Sequence, residues 1–276
     1  MAEPFPFYQG YDRYRARYPK DAIAQILSGI TTNPIVAADI GAGTGIGSRQ
    51  LADQGVQVIA VEPGAEMRNG ALPYDGVKFM EGTAEQVPLE TASVDLVTSF
   101  QAFHWFDFAQ SLKEFHRILK PDGRLALVWN FWNQQDAVSQ TYTKYLYQAS
   151  QPADKYLKPI EKLSLKGGLN ALCYSLFWYG IYLPYFKNLR RYIFSFEQFL
   201  DLEGLIGLAR SQGSTPQSGA ELARLEAKLA DLCDRYATPQ GQVRLLYTTH
   251  LYLAYRNWVV MHRNGNHRLE PPVCRG

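Results

Sequence analysis

Residues 37–63 read AADIGAGTGIGSRQLADQGVQVIAVEP, and the order of residue types in this stretch decides the fold. The apolar run Ile35 to Ile40 has the length of a buried strand and leads directly into Gly41-Ala42-Gly43-Thr44-Gly45. Ile46 to Gln54 can form one helix, which Gly55 ends. Val56 to Val61 (VQVIAV) is rich in β-branched residues and reads as a second strand. Glycine in the intervening turn lets the chain reverse sharply and lets a ligand touch the backbone. The same residues can also make a tight strand-to-helix turn with no ligand.

The alternation continues beyond this unit. Val77 to Met80 is a short third strand and Val94 to Phe100 a fourth. Phe108 to Leu119 is an amphipathic helix with Leu112, Phe115, Ile118 and Leu119 on one face. It stops at a turn of helix breakers, Lys120-Pro121-Asp122-Gly123, before a fifth strand from Arg124 to Trp129. Strands alternating with helices imply an α/β fold with a doubly wound, mostly parallel sheet. Further on, Arg191 to Phe196 can be a strand, Phe196 to Ala209 reads as a helix, and Ser211 to Gly219 as a loop. Ala220 to Tyr236 is strongly helical, and Val243 to Arg256 is rich in β formers and can complete the sheet. The implied organisation is an N-terminal lid over 1–32, a Rossmann-like core over 33–135, remaining strands and a helical substrate cap over 136–260, and a tail over 261–276.

The 276 residues include 28 basic and 26 acidic ones, a formal net charge of +2, which does not suggest a chain that coats nucleic acid. Cys173, Cys233 and Cys274 are far apart, with no zinc or redox spacing and no readable disulfide framework. No metal site is expected. The first residues lack a basic start followed by an apolar run, so a cytoplasmic location is expected. Leu169 to Phe186 carries no charge, but Asn170, Gly180, Pro184 and several tyrosines make it a poor membrane span and a better buried or lid segment.

A ligand crossing the carboxyl ends of the strands would sit on the glycine loop. The dinucleotide fingerprint G-x-G-x-x-G would need glycine at position 46, where this chain has Ile46. Glu62 ends the second strand, where a carboxylate can accept hydrogen bonds from ribose hydroxyls or simply be solvated.

These residues resemble the class I S-adenosylmethionine-dependent methyltransferases. AADIGAGTGIGSRQLADQGVQVIAVEP is similar to that family's first two motifs, FMEGTAEQVPLETASVDLVTSFQAFHWFD to the next two, and FHRILKPDGRLALVWN to the last. Order and spacing match over roughly Tyr8 to Asn133. QAFHWFD and the opening YDRYRARYP resemble a subgroup related to trans-aconitate methyltransferase, and GLIGLARSQGSTP and YTTHLYLAY are similar to its C-terminal part.

The resemblance implies a seven-stranded sheet, S-adenosyl-L-methionine as cofactor, a small-molecule acceptor and a set of roles. Asp39 would hold the cofactor's amino group directly or through water, and Gly41, Gly43 and Gly45 would make room for its methionine part. Glu62 would bind the ribose, with Pro63 and Met67 near the adenine and Thr83, Ala84 and Glu85 at its edge. Many family members carry aspartate where this chain has Thr83, which leaves the amide of Ala84 to serve the adenine amine. Gln101 would meet the methionine moiety.

His104 is the candidate catalytic residue, as a general base for a hydroxyl or amine acceptor or as a fixed hydrogen-bonding residue. Trp105 and Phe106 could wall the pocket, and Tyr11, Tyr14 and Arg17 could close over the cofactor. An anionic acceptor could be held by Arg17, Arg190 or Arg191. Two other readings share the fold: an NAD-type oxidoreductase, and a non-catalytic cofactor-binding partner subunit.

Overall fold

The computed structural model describes residues 10–150 and 185–257. Two short helices, α1 (Tyr11–Tyr14) and α2 (Lys20–Leu27), precede β1 (Val36–Ile40). There follow α3 (Ile46–Ala52), β2 (Gln57–Val61), α4 (Ala65–Asn69), β3 (Val77–Met80), β4 (Val94–Phe100), α5 (Phe108–Ile118) and β5 (Leu119–Trp132). The second half contributes α6 (Ala137–Ser150), β6 (Phe186–Leu200), α7 (Leu202–Arg210), α8 (Gly219–Tyr236) and β7 (Val243–Arg256).

The seven strands form one sheet in the order β3-β2-β1-β4-β5-β7-β6. β1 to β5 pair in parallel, and β7 pairs antiparallel with both β5 and β6. This is the doubly wound, mostly parallel architecture that the strand-helix alternation implies. The order reverses between β1 and β4, which places a ligand crevice beyond the carboxyl ends of those two strands.

Coverage on both faces explains the composition of the central strands. Every residue of β4 is buried, so VDLVTSF reads as a continuous run rather than an alternation. On one face Phe103 and the α5 residues Leu112, Phe115 and Ile118 pack on Leu127, Trp129 and Tyr252. On the other, Ile23 and Ile26 of α2 and Leu51 of α3 pack on Ala37, Leu96, Val128 and Leu253. A third apolar cluster gathers α6, α7 and α8 against the start of β7, with Tyr142, Leu205, Leu225, Leu229 and Leu232 at its centre.

The structure corrects two sequence expectations. Phe196 does not begin a helix. It lies within the outer strand, which runs on to Leu200, and sits opposite Tyr247 with the two rings stacked at 4.7 Å. The helix starts after Asp201, whose carboxylate accepts from the Gly204 amide at 2.8 Å. That cap satisfies one of the free donors at the helix start, and cross-strand ring packing overrides the apolar periodicity of Phe196 to Leu200. Lys120-Pro121-Asp122-Gly123 is a bulge inside β5 rather than a turn before it, because Leu119 already pairs with Val94 and Arg124 resumes pairing with Leu96.

The uncharged segment lies outside the described residues except for Tyr185 and Phe186, and Phe186 is buried where β6 begins. Cys173, Cys274 and the tail also lie outside them, and Cys233 is a free, half-buried thiol. No helix among the described residues is long and apolar enough to cross a membrane.

If Asp201 sets the strand-helix boundary, Asp201→Ala should lower the unfolding free energy by about 1 kcal/mol, the usual worth of such a cap. Urea denaturation of the full chain measures this, and an unchanged midpoint would show that the boundary is fixed elsewhere.

Candidate cofactor site

β1 delivers the chain into the glycine loop, and the loop is tied back at once. The amides of Gly41 and Ala42 donate to the carbonyl of Val61 at 2.8 and 3.2 Å, which binds the loop to the end of β2. Two of its glycines do different jobs. A methyl group on Gly41 would lie 2.6 Å from Cβ of Ala102 and 2.9 Å from the Phe106 ring, so the loop is packed from behind. A methyl group on Gly43, where φ is +59°, would meet nothing within 4 Å. Bare backbone faces open space there, in a conformation that favours glycine.

Glu62 stands at the rim of that opening. Its Oε2 accepts from the Gly43 amide at 2.9 Å and its Oε1 from the Gly64 amide at 2.8 Å. Each oxygen keeps further acceptor capacity, which suits a vicinal diol laid across the loop.

Asp39 lies beneath. It is only 1% exposed, and its two oxygens accept from Ser48 Oγ at 2.6 Å and Thr98 Oγ1 at 2.9 Å. Burial is the main cause that pushes its carboxyl up from 3.8 to about 7, against the opposing effect of the two hydroxyls and with Glu62 adding repulsion. The structure therefore gives Asp39 internal partners and no open face.

The residues expected at the far end of the cleft flank β2 and β3. Pro63 is exposed, Met67 half-buried on α4, and Ala84 buried. Thr83 Oγ1 accepts from the Gln86 amide at 3.2 Å, so this hydroxyl closes its own turn. Glu85 turns to the loop after β4, where its Oε1 accepts from the Asp107 amide at 2.8 Å.

The end of β4 forms the opposite wall. Gln101 has φ +56°, unusual for a residue with a side chain. Its amide donates to Val128 O at 2.9 Å, and its Nε2 to Asn130 O at 3.0 Å. The next residues make a tight turn from Phe103 to Trp105. Within it, His104 Nδ1 accepts from the indole Nε1 of Trp129 at 3.3 Å, and removal from water pushes the imidazole down to about 4. An indole nitrogen only donates, so the proton of this neutral ring sits on Nε2. Trp105 is exposed beside His104, and Phe106 packs against Gly41.

The N-terminal segment is a strap whose contacts differ from those expected. Tyr14 is not over the glycine loop. It is buried in the helical cluster of the second half, and its hydroxyl donates to Glu203 at 2.7 Å. Gly207 makes room for its ring, since a Cβ there would fall 2.3 Å from the ring edge. Asp12 reaches the loop instead, accepting hydrogen bonds from Thr44 Oγ1 and Arg49 Nη2. Tyr11 is half-buried beneath the Arg15 guanidinium, and the carbonyl of Arg17 accepts from Asn130 Nδ2 at 3.1 Å. Arg190 and Arg191 lie on the outer strand β6, where Arg191 Nη2 is 2.9 Å from Nδ1 of His250.

Sequence reading therefore missed Asp12, Ser48, Arg49, Thr98 and Asn130. It also missed Gly47, where a Cβ would strike the Phe100 ring at 2.3 Å. Gly47 supplies the close helix-to-sheet approach, one position beyond where a dinucleotide fingerprint would put it.

Residues 38–127 match the family described as methyltransferase domain. An uncharacterized methyltransferase of Mycobacterium bovis is 42% identical over 123 residues, covering 44% of this chain and 49% of the relative. Another uncharacterized methyltransferase, from Schizosaccharomyces pombe, is 37% identical over the same length and shares of both chains. The chain spans about half the length of these curated relatives. Among solved structures, a candidate type II methyltransferase from Anaeromyxobacter dehalogenans superposes with a TM-score of 0.63 at 22% identity, over 87% of this chain and 97% of that one. That likeness is one of fold.

The buried carboxyl beneath the loop makes stability depend on pH. Because its folded value of about 7 lies above the ordinary 3.8, Asp39 contributes stability that is complete below pH 3.8 and lost as pH rises through 7. The ligand-free protein should become less stable between about pH 4 and pH 7, and Asp39→Asn should flatten that slope. Parallel melting profiles for the two proteins would show that this carboxyl is not raised.

Proposed function

We propose that this chain, which matches the methyltransferase domain family over residues 38–127, binds S-adenosyl-L-methionine on the Gly41–Gly45 loop and methylates a small molecule at a carboxylate. The observation that carries the reading is the open backbone at Gly43 with the Glu62 carboxylate at its rim, at the point where the strand order reverses. The cofactor supplies an electrophilic methyl group on a sulfonium, so the difficult chemistry is its own. The chain must bind, orient and exclude water.

Glu62 would take the ribose hydroxyls with the acceptor capacity left on its two oxygens. Ala84, Thr83 and Glu85 would border the adenine, with recognition falling to the backbone because the Thr83 and Glu85 side chains have partners of their own. Pro63 and Met67 would pack on the ring. Asp39 would act through its field: a cation above the loop favours its ionised form, and the ionised form favours the cation. Gly41, Gly43, Gly45 and Gln101 would shape the cleft around the methionine part.

His104 fits a positioning role. Its Nδ1 is engaged by Trp129, so it can donate from Nε2 but can take up a proton only by giving up that partner. A carboxylate acceptor, which titrates near pH 4, is already ionised at neutral pH and needs no base. A relative from Coxiella burnetii, named malonyl-[acyl-carrier protein] O-methyltransferase 1, is 37% identical over 106 residues, covering 38% of this chain and 37% of the relative. Its oxygen acceptor accords with this reading.

Calorimetry should show binding of S-adenosylhomocysteine, the demethylated product, and none of NAD. Tight NAD binding with no binding of S-adenosylhomocysteine would instead favour an oxidoreductase. Glu62→Ala should weaken the product's binding by about 10-fold to 100-fold or more, since one hydrogen bond to a charged group is worth roughly 1.5–3 kcal/mol. An unaltered dissociation constant would remove Glu62 from the site.

With an acceptor found from a panel of carboxylic acids, His104→Gln should cost no more than about 10-fold in rate, and the rate should stay flat between about pH 6 and 8. A loss beyond about 100-fold, with a rising pH limb that the mutation abolishes, would make His104 the base.

A further inference from the structure

We propose that Asn130 is a positioning residue of the cofactor cleft, which locks the N-terminal strap and the Gln101 turn into one unit through its two faces; this rests on the cofactor-binding reading above. Asn130 is the last residue of the FHRILKPDGRLALVWN stretch and sits near the end of β5, 9% exposed. Three contacts converge on it. Its Nδ2 donates to the carbonyl of Arg17 at 3.1 Å. Its Oδ1 accepts from Thr249 Oγ1, on the neighbouring strand β7, at 2.7 Å. Its own carbonyl accepts from Gln101 Nε2 at 3.0 Å.

The orientation of the amide follows from the partners. A backbone carbonyl can only accept, so the NH2 group must face Arg17, and the oxygen then meets the hydroxyl of Thr249. Thr249 is wholly buried, so the hydroxyl is held in the sheet and fixes the amide in turn.

What this arrangement joins gives it a function. Gln101 follows β4 at the strand reversal and holds a left-handed backbone that needs outside support to persist. That support comes from Val128 O on its amide and Asn130 O on its side chain, both on β5. The strap arrives from the other direction. Its Asp12 is tied to Thr44 of the glycine loop and Arg49 of α3, and its Arg17 carbonyl is tied to Asn130. The strap therefore bridges the loop after β1 and the end of β5, and Asn130 is where it meets the wall that carries Gln101. Breaking this anchor releases the strap from β5 at Arg17, with the Tyr18 backbone still paired to the Gln50 side chain and its ring against Phe100, and leaves every direct cofactor contact proposed above in place.

Hydrogen exchange read alongside calorimetry separates positioning from general stability. In the wild-type chain, S-adenosylhomocysteine should slow amide exchange in both the strap, residues 11–18, and the turn at 101–105. Asn130→Ala should weaken its binding about 10-fold, the loss of one hydrogen bond with its ordering, and should abolish the ligand's protection of the strap while protection around Gly43 survives.

Thr249→Val is the second variant, nearly isosteric and still filling the sheet. It frees the Asn130 amide and should give the same loss of strap protection with a smaller affinity change, so a failure of the alanine variant to fold leaves the test standing. Strap protection retained in a folded variant, with affinity unchanged or lowered only in step with melting temperature, overturns the proposal alone. Failure of the wild-type chain to bind S-adenosylhomocysteine overturns the cofactor reading and this proposal together.

Discussion

The cleft depends on one buried carboxylate. Asp39 joins three elements at the strand reversal: it belongs to β1, accepts from Ser48 on α3, and accepts from Thr98 on β4. The glycine loop is the short stretch between two of these, so its shape is set by how far α3 stands from β4. Gly47 lets that distance be small, and Gly41 lets the loop lie against Ala102 and Phe106. An ionisable group costs free energy when removed from water without full compensation, which is why the carboxyl is raised to about 7. The fold carries that cost at the place where a cationic ligand would lower it.

The second half of the chain is tied to this site by the strap. Tyr14 is sunk among α7 and its neighbours, Arg15 Nη2 donates to Ser211 O at 2.7 Å, and Gln198 Nε2 donates to Tyr14 O at 2.9 Å. The adjoining residue Asp12 binds the glycine loop. The helical cluster of α6, α7 and α8 and the glycine loop are thus attached to opposite sides of one short segment. Ordering the strap over a ligand would transmit to the helices on which Tyr14 rests, because a buried tyrosine cannot shift without disturbing the packing around Gly207.

The sequence was most legible where strands are covered on both faces. β1, β4 and β7 lie close to where their apolar runs place them, since burial on two sides leaves little but β-branched and aliphatic residues. Legibility fell toward the sheet edge. β6 alternates half-buried and exposed residues, with Ile193 and Phe199 facing water, so its apolar count resembles that of a helix and its extent was underestimated. The bulge in β5 contains turn residues and was read as a turn, because local chemistry does not reveal that the partner strand continues. In the site, Glu62 and the glycines were recognisable from motif and spacing. Asp12 and Asn130 were not, since each acts through a partner distant in sequence, and Tyr14 was misplaced because a four-residue helix does not disclose which way its face turns.

The same burial logic explains why a histidine can stand beside a cation. A protonated His104 would repel a sulfonium and would need solvent or a carboxylate to hold its charge. The ring has instead been drawn out of water beside Trp129, which keeps it neutral at any pH near 7 and fixes its free proton on Nε2. His250, on the same side of the sheet with its ring 5.4 Å from that of Phe131, is likewise pushed down to about 4 by burial and by the neighbouring Arg191. At His104 the wall therefore presents aromatic surface and an uncharged, weakly basic imidazole. A surface of that kind suits an acceptor that needs no deprotonation before attack, the class proposed above.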